Sequence, residues 1–171
     1  MAIKAKLNRR QVDAFKKKVE GIRTAFGQRD ANAAAEEMLG EMKDLIAKGI
    51  SPILGKGRFP EYLHAGKKGK YPANQKSKFP RKRQRPVNLF LSGDFLKALK
   101  HRVYEARFGF GFEVGYFDRD EAKKEQGHRE GVKGQPERPT IPVKGEEWNQ
   151  RIQRIIFKRF KEAIARYVKK E

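Results

Sequence analysis

Two runs of cations are the residues whose types and spacing most directly imply chemistry in this chain. Lys67, Lys68 and Lys70 form the first run and Arg81, Lys82, Arg83 and Arg85 the second, with Lys76 and Lys78 between them. Lysine and arginine neutralise phosphates and displace counterions, which gives affinity for polyanions without reading a base sequence. Phe59, Tyr62, Tyr71 and Phe79 are interleaved with these cations, and aromatic rings offer faces on which unpaired bases stack. The same cations suit an acidic protein surface, and the sequence leaves both kinds of partner open. Base-specific recognition is not expected, because no helix here presents side chains shaped for a groove. All nine cations are therefore candidate contacts to DNA or to an acidic partner.

Catalytic chemistry has less to work with. The chain has no cysteine, which excludes disulfides, thiolate zinc sites and cysteine nucleophiles. None of His64, His101 and His128 has a second ligand at metal-binding spacing on a helix. His128 stands near Glu125 and Glu130 in a stretch that reads as a turn, where a solvated surface imidazole is expected. Asp118, Asp120 and Glu121 form a carboxylate cluster that a nuclease could use to hold Mg²⁺, yet a charged turn after a strand is the commoner outcome. There is no G-x-S-x-G elbow and no P-loop. Gly109 and Gly111, set among Phe108, Phe110 and Phe112, suit a hairpin better than a phosphate cradle. The expectation is a protein that is not an enzyme, with no catalytic, metal-binding or cofactor-binding residues.

Composition agrees with a role in binding. Of the 171 residues 41 are Lys or Arg and 21 Asp or Glu, a net charge of +20 with a pI near 10.3. An excess of this size concerns partners: nucleic acid, anionic membrane or acidic protein. Residues 51–86 carry 11 cations against the single acid Glu61, so half of the excess lies in that segment. Hydrophobic residues make up 37% and mean hydropathy is −0.87. The core is therefore modest, or is completed by a partner subunit. No apolar run approaches the roughly 20 residues of a membrane-spanning helix, and none follows the basic Met1–Arg10 as in a signal peptide. No membrane partner is expected.

The elements that must position these residues can be read in three segments within one domain. Residues 1–50 form an N-terminal helical segment: Val12, Phe15, Val19, Ile22 and Phe26 recur at helical spacing, and Met38, Leu39, Met42, Leu45 and Ile46 follow. Gly27 interrupts the pattern and Asp30 can cap a second helix, so one kinked helix and two helices both fit. Residues 51–86 form a basic loop or arm rich in proline and glycine, without periodicity. Residues 87–171 form an α+β core. A short helix opens at Ser92 or Gly93, with Asp94 in its first turn. Strands are expected over Arg102–Phe108 and Phe110–Phe117, then a charged turn from Asp118 to Gly131. Pro136, Pro139 and Pro142 force an extended passage. From Glu146 to Lys169 a final helix carries Trp148, Ile152, Ile155, Ile156, Phe160, Ile164, Tyr167 and Val168 as a stripe, with Glu146 and Glu147 in its first turn. Both apolar stripes are core by default, and their excess over what one hairpin covers suggests subunit packing.

From Val87 onward the order of motifs resembles the tail-completion and neck (virion morphogenesis) proteins of tailed bacteriophages. Leu89-Phe90-Leu91-Ser92-Gly93-Asp94-Phe95-Leu96 is similar to their leucine, Thr/Ser-Gly, leucine signature. A hairpin follows, then Ala122 to Gly131 in the place of their alanine, Gln/Glu, glycine motif. Pro136-Glu137-Arg138-Pro139 then resembles their Pro-x-Arg-Pro lead into a C-terminal helix, and a long N-terminal helix also belongs to the pattern. The resemblance implies an α+β fold with a long N-terminal and a C-terminal helix flanking a small antiparallel sheet. It further implies a structural virion protein of the neck, with no cofactor, that closes with copies of itself into a ring around the DNA exit channel. Its neighbours would be head-side connector or portal proteins and tail terminator or tail tube proteins. On charge alone, the basic arm could either face packaged DNA non-specifically or reach along an acidic neighbouring subunit. The alternative is a non-sequence-specific nucleic-acid-binding protein of packaging or ribosome-associated type.

Overall fold

The choice between one N-terminal helix and two is resolved at Thr24–Gly27. The computed structural model of the chain describes residues 9–61, 87, 89, 93–107, 109–131 and 136–169. Within them α1 runs Arg9–Arg23 and α2 runs Gln28–Ala47. Gly27 is the extended N-cap of α2, and its N–H donates to the Asp30 carboxylate at 3.3 Å. This is the backbone half of a capping box, with the acid three residues into the helix. Phe26, just before the cap, is buried, and its carbonyl accepts the Phe110 N–H at 3.2 Å. The joint between the helices is thus nailed to the hairpin described next.

That hairpin consists of β1 (Leu99–Ala106) and β2 (Gly109–Tyr116), antiparallel and in register from Leu99↔Tyr116 to Ala106↔Gly109. The strands lie slightly earlier than the alternation alone suggests. Only glycine fits at position 109, for two reasons: φ is +88°, and a Cβ would sit 2.8 Å from the Phe26 carbonyl oxygen. Val103, Phe112 and Val114 turn toward α2, which lays Ala31, Ala34 and Ala35 close against the strands and packs Met38, Met42, Leu45 and Ile46 below them. Small residues at the upper end of α2 permit the close approach, and larger ones fill the wider lower end. Val87, Leu89, Leu99 and Ile152 complete this core.

Residues 51–61, expected as the start of a loose arm, are partly built into the core. Ser51, Pro52, Ile53 and Phe59 are buried. Isolated antiparallel bridges join Ile50 to Arg58 and Ile53 to Trp148. The second bridge also shortens the last helix. The Leu54 N–H donates to the Glu147 carbonyl at 2.8 Å and the Asn149 N–H to the Pro52 carbonyl at 2.7 Å, so this stretch is extended. Helix α5 therefore spans Gln150–Val168, capped by the Asn149 side chain on the Arg151 N–H. Glu146 and Glu147 precede the helix and are not in its first turn.

The short helix α3 (Asp94–Lys97) follows Gly93, which is left-handed at φ +94°. Asp118–Gly131, expected as a turn, is instead mostly helical: α4 spans Arg119–Glu130. It has almost no apolar face, and its ends decide the matter. The Asp118 carboxylate accepts the Asp120 and Glu121 N–H groups, and Gly131 closes the other end at φ +64°. The fold is α+β, with N-terminal helices and a C-terminal helix around a two-stranded antiparallel sheet.

Candidate partner interface

The nine cations singled out by sequence, Lys67, Lys68, Lys70, Lys76, Lys78, Arg81, Lys82, Arg83 and Arg85, lie outside the described residues. What the structure does place are both roots of the segment that carries them. At the first root the Arg138 side chain, 1% exposed, donates to the carbonyls of Pro60 and Glu61, both at 2.9 Å. A buried guanidinium needs several acceptors to offset its desolvation, and here it finds them on the last two residues before the cationic segment. At the second root Val87 and Leu89 are 1% and 5% exposed within the main core. Leu89 holds φ at +47°, an uncommon backbone for a branched side chain that persists only where packing dictates it. The 25 residues from Tyr62 to Pro86, with nine cations and no acid, thus leave and rejoin a fixed body.

Arg138 is itself held by a polar cluster that sequence reading missed. Its N–H donates to the His128 carbonyl on α4. Beside it Glu125, also on α4 and buried, accepts the Thr140 N–H at 3.0 Å, the Thr140 hydroxyl and the Ile141 N–H at 3.2 Å. Burial pushes the Glu125 carboxyl above the usual carboxylate range, against these three hydrogen bonds and the Arg129 charge, which favour ionisation. Arg129 bridges Glu125 at 3.5 Å and Glu146 at 2.9 Å, and Lys56 lies 3.6 Å from Glu146. Of the carboxylate cluster marked by sequence, Asp118 caps α4 and Glu121 pairs with Lys124. His128 is not a solvated imidazole. Its ring is tilted against Phe95, centroids 5.1 Å apart, and burial together with the Arg138 charge lowers its pKa to about 4. Among the described residues no group of three His, Asp or Glu is arranged to hold a metal ion.

Charge on the described surface is sorted by helix. Antiparallel α2 and α5 share a ladder of ion pairs: Arg166 with Asp30, Arg159 with Glu37 at 2.7 Å, and Arg151 with Glu41 at 2.7 Å and Asp44 at 3.8 Å. The acids recur along α2 at intervals of seven, four and three, and the arginines along α5 at intervals of eight and seven. The signal was therefore present in the sequence, but only for a reader who had already paired the helices. This ladder uses up four acids of α2. It leaves Arg154, Lys158 and Lys161, on the opposite flank of α5, exposed and without an acidic partner among the described residues.

Apolar burial is incomplete in the same region. The stripe of α1 is not core: Phe15 is 69% exposed and Val19 38%. Helix α1 meets α5 through Gly21, on whose bare backbone the Tyr167 ring rests so closely that any side chain would collide with it. Phe26 stacks on Phe160 with centroids 4.2 Å apart. On α5 Phe157 is 64% exposed, and Ile164 and Val168 are also exposed. Among the described residues no helix is long and apolar enough to cross a membrane. Comparison with known protein families, with curated proteins and with solved structures finds no match to this chain.

Proposed function

We propose that this chain is a non-catalytic structural component of a phage neck, a tail-completion protein whose copies form a ring around the DNA exit channel between head and tail. The observation that carries the reading is the fastening of the cationic segment at both roots, by Arg138 and by Val87 and Leu89. A chain that only needed charge for solubility would not bury a guanidinium to hold the base of that segment. Copies arranged about an axis would set these segments out as a collar of positive charge, suited to non-specific contact with DNA or with an acidic neighbouring subunit. The resemblance in motif order from Leu89 to the C-terminal helix supports the same reading. So do the large apolar side chains left uncovered on α1 and α5, which suit a subunit finished by its neighbours. In this reading the neighbours are connector or portal proteins on the head side and tail terminator or tail tube proteins on the other. The protein is made in the host cytoplasm and ends in the virion.

Light scattering of the purified protein across a salt series, with and without duplex DNA, tests the proposal, with electron microscopy of any assembled species. Closed rings, or subunits that bind DNA only weakly until assembled, are the expected result. A monomer that binds duplex tightly at physiological salt with a steep salt slope would replace this reading with a dedicated non-specific nucleic-acid binder.

A further inference from the structure

The structure points to a docking seam for a partner protein, which we infer to be an acid-flanked amphipathic helix lying along α1 and α5. Helices α1 and α5 run antiparallel where they touch, because Phe26 meets Phe160 while Gly21 meets Tyr167. On α5, Ile152 and Ala163 face α2 and the core. Phe157, Ile164 and Val168 sit on the flank beyond Phe160, turned away from that core. On α1 the apolar positions Phe15 and Val19 lie well around the helix from Gly21. With the two helices antiparallel, this brings them to the same solvent-facing side as the α5 row. The α5 row from Phe157 to Val168 is thus continued by Val19 and Phe15 on α1, which runs on past the C-terminal end of α5. The result is an end-to-end apolar row along which a third helix can lay its apolar face.

The flanks decide what kind of helix fits. Beside the α5 row stand Arg154, Lys158 and Lys161, and beside Phe15 stands Lys16, all exposed and without an acidic partner among the described residues. Of the acids on these two helices, Glu162 pairs with Arg159. Glu20, which shares a groove with Phe15, Lys16 and Val19, pairs with Arg23, while Asp13 is exposed one turn before Lys16. A helix with apolar residues on one face and Asp or Glu along both edges would bury the seam and pair these cations. A second copy of the chain does not supply such a helix among its described residues. Helix α2 spends its apolar face on the core, and α4 has no apolar stripe to offer. Two α1–α5 seams placed face to face would set like charges against each other. Nucleic acid would meet the cations but would leave Val19, Ile164 and Val168 without apolar contacts.

This inference rests on the proposed role as one component of a larger assembly, and its test can fail separately from that role. The probe is a fluorescent synthetic peptide of about 20 residues, long enough to be helical, with leucine at heptad core positions and glutamate on both flanks. Two control peptides replace the glutamates by lysine or the leucines by serine. The Leu/Glu peptide is expected to bind the full chain at least about tenfold more tightly than either control. The double variant Phe15→Ser/Phe157→Ser is expected to lose at least that factor with an unchanged circular dichroism spectrum, since both rings are mostly exposed. A Ser/Glu peptide that binds as well as Leu/Glu would show a polyanion site, overturning the inference, and a DNA oligonucleotide would then compete. Unchanged binding by the double variant, or no binding of Leu/Glu, would overturn it as well. If the wild type forms rings in either of those cases, the docking seam falls and the neck reading stands.

Discussion

His128 and Arg138 form a coupled pair whose behaviour follows from burial. The imidazole, ordinarily titrating near 6.5, is held at about 4 by burial and by the neighbouring guanidinium. The folded state therefore binds fewer protons than the unfolded chain between those two values. The contribution of neutral His128 is fully present above pH 6.5 and is lost as pH falls toward 4. A shift of this size corresponds to roughly 3 kcal/mol in the limit. The variant His128→Gln is accordingly expected to lose less stability than the wild type between pH 7 and pH 4.5 in urea unfolding. Equal losses would mean that the imidazole is not buried as described. Glu125 works in the other sense, since its raised pKa makes ionisation costly to the fold as pH rises, and the variant comparison cancels it. Arg138→Met leaves the Pro60 and Glu61 carbonyls without their donor. It is expected to cost about 2–4 kcal/mol and to let the His128 pKa rise. A loss below about 0.5 kcal/mol would remove Arg138 as the anchor of the first root.

At the scale of elements, two of the three glycines of β2, Gly109 and Gly115, make a paired test. Gly109→Ala puts a Cβ 2.8 Å from the Phe26 carbonyl at a left-handed backbone, and should destabilise by more than about 1 kcal/mol by loosening the joint between α1 and α2. Gly115→Val meets open space at an ordinary strand backbone and should be neutral or stabilising by about 0.5 kcal/mol. Thermal melts of the two variants check both, and equal effects would mean that the joint does not rest on the hairpin. These elements also show what sequence could and could not reveal. The hairpin, the last helix and the stripe of α2 are legible because each carries its own apolar periodicity, whatever surface comes to cover it. The break at Gly27 and the short helix after Gly93 were legible from glycine and a following acid. Helix α4 was not, because only its capping residues hold it, and a capped polar helix has the composition of a turn. The start of α5 was misplaced because a long-range bridge from Ile53 to Trp148 claims the backbone that would otherwise be its first turn. The α1 stripe read as core because periodicity records amphipathicity and does not tell which surface covers it. The buried Glu125–Thr140 and Arg138–carbonyl contacts join residues 15 to 78 positions apart, where local pattern carries no information.

For the whole molecule, the question is whether the charge concentrated in residues 62–86 serves the fold or a partner. The α2–α5 ladder already provides internal pairing for four acids, through side chains exposed enough that each pair contributes only about 0.2–1 kcal/mol. The cationic segment has no acid of its own, and both its roots are secured by Arg138 and by buried apolar side chains. Replacing Lys67, Lys68, Lys70, Lys76, Lys78, Arg81, Lys82, Arg83 and Arg85 together by Gln should therefore leave the melting temperature within a few degrees of the wild type. Binding to duplex DNA should weaken, and the slope of log affinity against log salt should fall by close to one for each phosphate contact removed. If DNA binding weakens while assembly into rings persists, the segment faces the nucleic acid. If assembly fails and residual DNA binding keeps its slope, the segment reaches along an acidic neighbour, and the collar of charge belongs to the subunit interface. A large drop in melting temperature would show instead that the cations are part of the fold, and would remove the segment as a partner-binding element of either kind.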